Sequence, residues 1–156
     1  MANPPPREAI MQALYDRLRT SVKNLGFTSR AFLSFDDIPQ SEQPALLVVE
    51  YKGGAIRNAN PGLPPVWSQH AMVILLVRDS APSRNQTVET ALHAMIGQVE
   101  TALARQSNES SSLPDSYGTT LGGVVMRCWV TDYEIHHGAG AGQAAASVTV
   151  EMLAVP

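Results

Sequence analysis

The sequence predicts an α+β fold, in which two helices pack on one face of a mostly antiparallel sheet of about five strands. Two segments carry apolar residues at steps of three and four, as amphipathic helices do. Five other segments are rich in apolar residues and are joined, in most cases, by connections short enough for antiparallel pairing. Two amphipathic helices suffice to cover one face of such a sheet. The predicted element order is αβββαββ.

The first helix is predicted over residues 7–25. Its apolar stripe consists of Ile10, Leu14, Leu18, Val22 and Leu25. Pro6 suits the first turn, where its missing N–H needs no partner. Gly26 suits the left-handed conformation that commonly ends a helix, so we expect the helix to stop there.

Three strands are predicted next, over residues 27–35, 45–51 and 66–78. Residues 36–44 are predicted to be a loop, because Pro39 and Pro44 cannot donate to a sheet ladder. Residues 52–65 contain three glycines and three prolines between two strands. This composition predicts an extended hairpin tip.

The second helix is predicted over residues 83–106, where Ser83 and Gln86 have capping-box spacing. Its apolar stripe is Val88, Leu92, Met95, Ile96, Val99 and Leu103. Residues 107–123 are rich in Ser, Gly and Thr and are predicted to be a flexible connection. A closing hairpin is predicted over 124–135 and 144–154, joined by a mobile loop over 136–143. Together these elements form one domain, residues 1–156.

Composition excludes several classes of protein. The 156 residues carry a formal net charge of −3, whereas nucleic-acid and membrane-surface binders show an excess of Lys and Arg. A single cysteine, Cys128, excludes a disulfide scaffold. No apolar run is long enough for a membrane span, and the first residues lack a signal-peptide core, so we expect a soluble protein. Only 16% of residues are charged, against about 25% in average domains, which favours an assembly subunit.

The fourth strand predicts a contact surface. One parity, Val124, Met126, Cys128 and Val130, is expected to face the helices. The opposite parity is Val125, Arg127, Trp129, Thr131, Tyr133 and Ile135. It is too aromatic for a face left in water, and large exposed apolar patches usually mark contacts with another protein. The alternative is that the long loops fold back over these side chains.

Catalytic signals are weak. The sequence has no G-x-S-x-G, H-E-x-x-H, C-x-x-C or P-loop pattern. The GAGAG run at 138–142 joins two predicted strands, so no helix N-terminus would face a phosphate. Asp132, Glu134 and His136 could share a metal because alternate residues of a strand face the same side. Since no second ligand group is evident, we interpret them as a polar strand end and predict no metal, no cofactor and no enzymatic activity.

The chain resembles the tail terminator, or tail completion, proteins of long-tailed bacteriophages (minor tail protein U-like). The segments that carry the resemblance are REAIMQALYDRLRT, VWSQHAMVILLVR, VVMRCWVTDYEI and AAASVTVEMLAV, together with the Gly/Pro-rich tip and the second helix. The resemblance spans nearly the whole chain through element order and strand character. It implies a ring, commonly of six subunits, that caps the head-proximal end of the tail tube and stops tube polymerisation.

The resemblance also implies partners and a location. The partners would be copies of the same chain, the tail tube protein and the head–tail connector or neck protein, with DNA passing through the lumen without specific binding and with no membrane contact. The protein would be assembled in the host cytoplasm and reside in the virion tail. We predict that the contact residues are Arg127, Trp129, Tyr133, Ile135, Ile56, Arg57 and Leu63. The alternatives are a neck or head–tail joining protein and, from another class, a small metal-dependent enzyme using Asp132, Glu134 and His136.

Overall fold

A computed structural model describes residues 7–39, 42–56, 62, 66–78, 88–106, 118–137 and 142–154. Two helices, α1 and α2, and five strands, β1 to β5, account for most of them. The elements are α1 (Arg7–Ser21), β1 (Phe27–Ser29), β2 (Ala45–Ile56), β3 (Val66–Arg78), α2 (Val88–Leu103), β4 (Arg127–His137) and β5 (Gln143–Ala154). A short 3₁₀ helix, Phe35–Asp37, lies between β1 and β2. The predicted α+β class and the order αβββαββ are confirmed.

The strands form one sheet in the order β1-β2-β3-β5-β4. Pairing is antiparallel between β2 and β3, β3 and β5, and β5 and β4. Only β1 runs parallel to its neighbour β2. The sheet is therefore mostly antiparallel, with β1 and β4 at its two edges.

The main core lies between the sheet and both helices, on what we call the helix face. Strand β5 shows the pattern most clearly, because its even-numbered residues from Ala144 to Ala154 are buried and the odd ones are less so. Leu14 and Leu18 of α1 and Leu92 and Val99 of α2 are fully buried against this face. The apolar stripes read from the sequence thus supply the core.

The opposite face of the sheet, the open face, is covered in part by the chain itself. The segment 30–39 crosses it and places Ile38 in a second apolar cluster with Ala45, Leu47 and Leu76. Leu33 packs against the same cluster. The loop-fold-back alternative concerns side chains of the fourth predicted strand, and none of these belongs to this cluster.

The first helix ends earlier than the sequence predicts. It stops at Ser21, and Asn24, with φ of 62°, takes the left-handed conformation expected of Gly26. Gly26 is needed for another reason, because a Cβ there would lie 2.6 Å from the Glu42 carbonyl carbon and oxygen. Its N–H donates to the Pro44 carbonyl at 2.8 Å. This close approach aligns β1 with the start of β2.

Strand bounds also differ from the predictions. The first strand spans three residues rather than 27–35, because Ser34 and Asp37 form a local turn in which the Asp37 carboxylate accepts from the Ser34 N–H and hydroxyl. The second strand continues to Ile56, since β3 pairs with it along that length. Residues 52–56 of the predicted tip are therefore strand, while 57–61 and 63–65 lie outside the described residues.

The later connections differ in the same way. Helix α2 ends at Leu103 rather than 106, and its predicted cap at Ser83 and Gln86 lies outside the described residues. Strand β4 begins at Arg127 rather than 124 and takes in two residues of the predicted loop 136–143, His136 and His137. Of that loop, 138–141 lie outside the described residues.

Within the predicted connection 107–123, residues 118–121 contact the outer edge of β4. Thr119 pairs with Cys128, and the two backbone N–H···O distances are 2.8 and 3.1 Å. Thr119 and Leu121 are buried, at 0% and 5% exposure. The predicted flexible connection 107–123 thus ends in a stretch that contacts β4, while 107–117 lie outside the described residues. Ser/Gly/Thr-rich composition does not reveal that this stretch binds the outer edge of β4.

Gly118→Ala should lower the free energy of unfolding by at least about 2 kcal/mol. Gly118 has a φ of +88°, and a Cβ there would meet the Cys128 carbonyl oxygen at 2.0 Å. Gly122→Ala is the matched control, since Gly122 also has a positive φ of +75° but no atom within 4 Å of the added Cβ. Urea unfolding of both variants separates backbone strain from the steric clash. Equal losses in the two variants would show that the contact with Cys128 is unimportant.

Candidate assembly surface

A β-bulge in β4 determines which side chains reach the open face. Val130 lies opposite Val150 and Asp132 opposite Thr149, so Thr131 is an extra residue without a partner in β5. Before the bulge, Trp129 lies opposite Glu151 on the open face. After it, Tyr133 lies opposite Val148, a buried residue of the helix face. An extra residue shifts a strand's alternation by one, which exchanges the two faces.

The bulge corrects the predicted faces of β4. Arg127 and Trp129 lie on the open face as predicted, but Tyr133 and Ile135 lie on the helix face. Ile135 packs against the main core, and Tyr133 is 48% exposed. Strict alternation along the sequence gives no sign of the bulge.

The start of the strand departs from the prediction as well. Residues 124–126 precede β4 in a turn, with Val125 buried and Met126 40% exposed, the reverse of the predicted parity. Cys128 is fully buried, as predicted.

The upper part of the open face carries an aromatic and charged row, which we call the aromatic row. It consists of Tyr51, His70, Glu151 and Trp129, with Arg127 beside Trp129. The Arg127 guanidinium carbon lies 4.2 Å from the centroid of the Trp129 ring, within cation–π range. The Tyr51 and His70 rings are 5.9 Å apart, and His70 Nε2 lies 4.0 Å from Glu151 Oε1. Tyr51 is half exposed. The His70 and Glu151 side chains are 19% and 22% exposed, and Trp129 and Arg127 are likewise half-buried.

An apolar groove of about 430 Å³ lies lower on the open face, between the segment 30–39 and β4. Met72 and Ile74 form its floor, and Phe32, 71% exposed, stands at one side. Glu134 and His136 stand at the other side, with 3.5 Å between a carboxylate oxygen and Nε2. Next to the first side, the hydrogen bonds from the Ser34 N–H and hydroxyl hold the pKa of the Asp37 carboxyl below its usual range.

Both long edges of the sheet are largely unpaired among the described residues. On β2, β1 covers only Ala45–Leu47, which leaves the stretch from Val48 to Ile56 open. On β4, the bridge from Thr119 reaches Cys128, and from Thr131 to His137 no described segment pairs with the outer side. Lys52 on β2, and Asp132 and Glu134 on β4, are exposed. Unpaired strand edges are templates for pairing with another chain.

The remaining predicted contact residues are only partly placed. Ile56 ends β2, while Arg57 and Leu63 lie outside the described residues. The sequence reasoning missed Tyr51, Lys52 and His70, which share the upper open face with Trp129. The third predicted strand, 66–78, is longer than the second, 45–51. This difference in length indicates that the second strand extends beyond residue 51, and it is the signal that could have placed these residues on the sheet.

The metal candidates do not form a centre in the described part of the chain. Asp132, Glu134 and His136 lie on the open face, not on the core parity assigned to them from the sequence. No group of three or more His, Cys, Asp or Glu among the described residues is arranged to hold a metal ion. None of the helices described is long and apolar enough to cross a bilayer.

Comparison with known proteins gives a fold likeness. No family model and no curated protein matches the sequence. A solved structure described as the virion of a native gene transfer agent (GTA) particle contains a chain of similar fold, with a TM-score of 0.54. The match covers 94% of this chain and 95% of the other, at 8% sequence identity. The similarity therefore extends over essentially the whole fold.

Proposed function

We propose that this protein is a structural subunit of a phage-type virion and acts as a tail terminator. In this role, copies of the chain form a closed ring on the head-proximal end of the tail tube and stop its growth. The observation that carries the proposal is the open sheet face, whose aromatic row keeps the half-exposed Tyr51 and the partly exposed Trp129 outside the main core. The whole-chain fold likeness to a chain of a GTA virion supports it.

A ring requires two different surfaces on each subunit, since each copy contacts one neighbour with one surface and the next with the other. The described residues offer such a pair of surfaces, because the exposed edges of β2 and β4 lie on opposite sides of the sheet. The low charge content suits surfaces that become buried on assembly. The net charge of −3 suits a ring through which DNA slides, because basic groups at the lumen would hold phosphates.

Tube polymerisation tests the proposal. Purified tail tube protein is polymerised with and without this protein, and tube lengths are measured by negative-stain electron microscopy. We expect tubes formed with the protein to stop growing and to carry one extra ring at a single end. Tubes that grow to the same length and bind no protein would contradict the proposal. Binding to connector rings but not to tube ends would identify a neck protein instead.

A further inference from the structure

The two exposed sheet edges fit each other. We infer that the ring closes by antiparallel pairing of the β4 edge of one copy with the β2 edge of the next, so that the sheet runs continuously from subunit to subunit. The inference deepens the proposed function and rests on it. The occupant of each edge is thus a second copy of this chain.

Strand direction agrees with this pairing. The four long strands alternate in direction across the order β2-β3-β5-β4, since every pair of neighbours is antiparallel. A neighbouring copy in the same orientation places its β4 beside β2, and these two strands also run in opposite directions. The alternation therefore continues across the boundary, and all helices stay on the same side of the extended sheet.

The charges at the two edges are complementary. Lys52 lies opposite His70 and Glu134 opposite Ser147, so both exposed side chains project from the open face. Asp132, opposite Thr149, adds a second carboxylate on the same face. Pairing β4 with the neighbour's β2 brings the Glu134 and Asp132 carboxylates of one copy near Lys52 of the next. Opposite charges across a strand pair are stabilising, and like charges are destabilising.

The open stretches lie at different heights, and this offset supplies the stagger that a closed sheet needs. Lys52, the exposed cation of the β2 stretch, is level with Glu151 of β5, and Glu134, its proposed partner on the β4 stretch, is level with Ser147. Glu151 and Ser147 are four positions apart, roughly 13 Å at the rise of a strand. An offset of four residues across the four long strands of one subunit is about one residue per strand. A barrel with eight strands and a shear of eight has the same offset per strand, and its strands tilt by about 36°.

Strands β2 and β4, which would pair in the ring, are bulged at the same level of the sheet. The β2 bulge follows Glu50, opposite Ala71, and the β4 bulge follows Val130, opposite Val150. Ala71 and Val150 are themselves paired, so the two bulges flank one row. Bulges increase twist and curvature, and they recur at the rims of barrels. They can also serve to blunt an isolated edge, but that role does not require the complementary charges or the matching stagger.

The hand of the sheet decides which face lines the ring. The parallel crossovers from β1 to β2, over the open face, and from β3 to β4, through α2 on the helix face, are expected to be right-handed. Both place β4 to the right of β1 when the sheet is viewed from the open face with β2 pointing up. With β4 on that side, the offset between the two edges makes the strands coil around the ring. This coil has the right-handed sense of natural sheets only if the open face lines the interior. The helices therefore form the outside of the ring.

Charge exchange across the seam tests the inference. Lys52→Glu and Glu134→Lys, each made alone, should weaken self-association of the full chain by about tenfold or more, because like charges then meet across the seam. The double variant should restore assembly to near the wild-type level. Lys23→Glu makes the same charge change as Lys52→Glu, at an exposed residue after α1, and should not change self-association. Association is measured by analytical ultracentrifugation, alone and with tail tubes, and thermal unfolding checks that each variant is folded.

The outcomes separate this inference from the proposed function. If wild-type rings form and both single variants behave like Lys23→Glu, or if the double variant is no better than the singles, the edge pairing is wrong and the terminator role stands. If the variants lose tube binding while self-association is unchanged, the edges receive the tube protein and the inference is also wrong. If the wild-type chain assembles neither alone nor on tubes, the proposed function itself fails.

Discussion

Leu14→Ala should lower the free energy of unfolding by about 2–5 kcal/mol, the range for leucines truncated in a packed core. Leu14 is fully buried in α1, where it packs with the sheet and with the other helix's apolar stripe. Truncation removes apolar contacts and leaves a cavity that the neighbouring side chains fill only in part. Chemical denaturation of the isolated chain measures the loss.

Gln12→Ala provides the matched control for Leu14, since Gln12 lies on the exposed side of the same helix and bonds only with nearby polar groups. Its free energy of unfolding should change by less than about 0.5 kcal/mol. If both variants unfolded alike, the packing of α1 against the sheet would not be the main source of stability.

Trp129→Ala should weaken assembly by about 30-fold or more, equivalent to at least about 2 kcal/mol of association free energy. Trp129 is partly exposed on the open face and stacks with Arg127 rather than entering the main core. In the paired-edge arrangement it lies near the end of the neighbour's β2. Large aromatic residues at such positions carry much of an interface's binding energy. Sedimentation of the variant with tail tubes measures the loss.

The same variant should fold nearly as well as the wild type, so the effects on folding and on assembly separate. Tyr133→Ala is the comparison, because the bulge moves Tyr133 to the helix face, away from the aromatic row. We expect it to weaken assembly less than Trp129→Ala does. A loss of monomer stability in Trp129→Ala as large as that in Leu14→Ala would show that Trp129 is part of the core.

The sequence predicts the helices and the layer arrangement because their signals are local and repeated. The stripe containing Leu14 and Leu18 specifies which side of α1 is buried, and the third strand is found at its predicted bounds, Val66–Arg78. Asn24, and not Gly26, is the left-handed residue after the helix. Asn and Gly both tolerate that conformation, so residue type does not decide between the two positions. Gly26 is required instead by its close approach to Glu42, which the sequence does not reveal.

The surface is harder to predict, because its composition depends on single inserted residues. One bulge at Thr131 exchanges the faces of every later residue in β4, so Tyr133 leaves the aromatic row and Asp132 joins the open face. A second bulge between Glu50 and Lys52 does the same in β2. The β4 bulge has no glycine or proline beside it, and the β2 bulge lies directly before Gly53 and Gly54, but the position of each is defined only by pairing with another strand. Arg127 and Trp129 precede the β4 bulge, and alternation places both on the correct face.

Imaging the assembled protein is the decisive test of whether the chain works as a ring subunit. Electron microscopy of the purified full chain, alone and after incubation with tail tubes, shows whether it closes into a ring. We expect closed rings on tube ends, with a continuous sheet around the channel and helix density on the outer side. A chain that stays monomeric both alone and beside tubes would contradict the role of ring subunit, whereas a ring whose helices face the channel would contradict only the edge pairing.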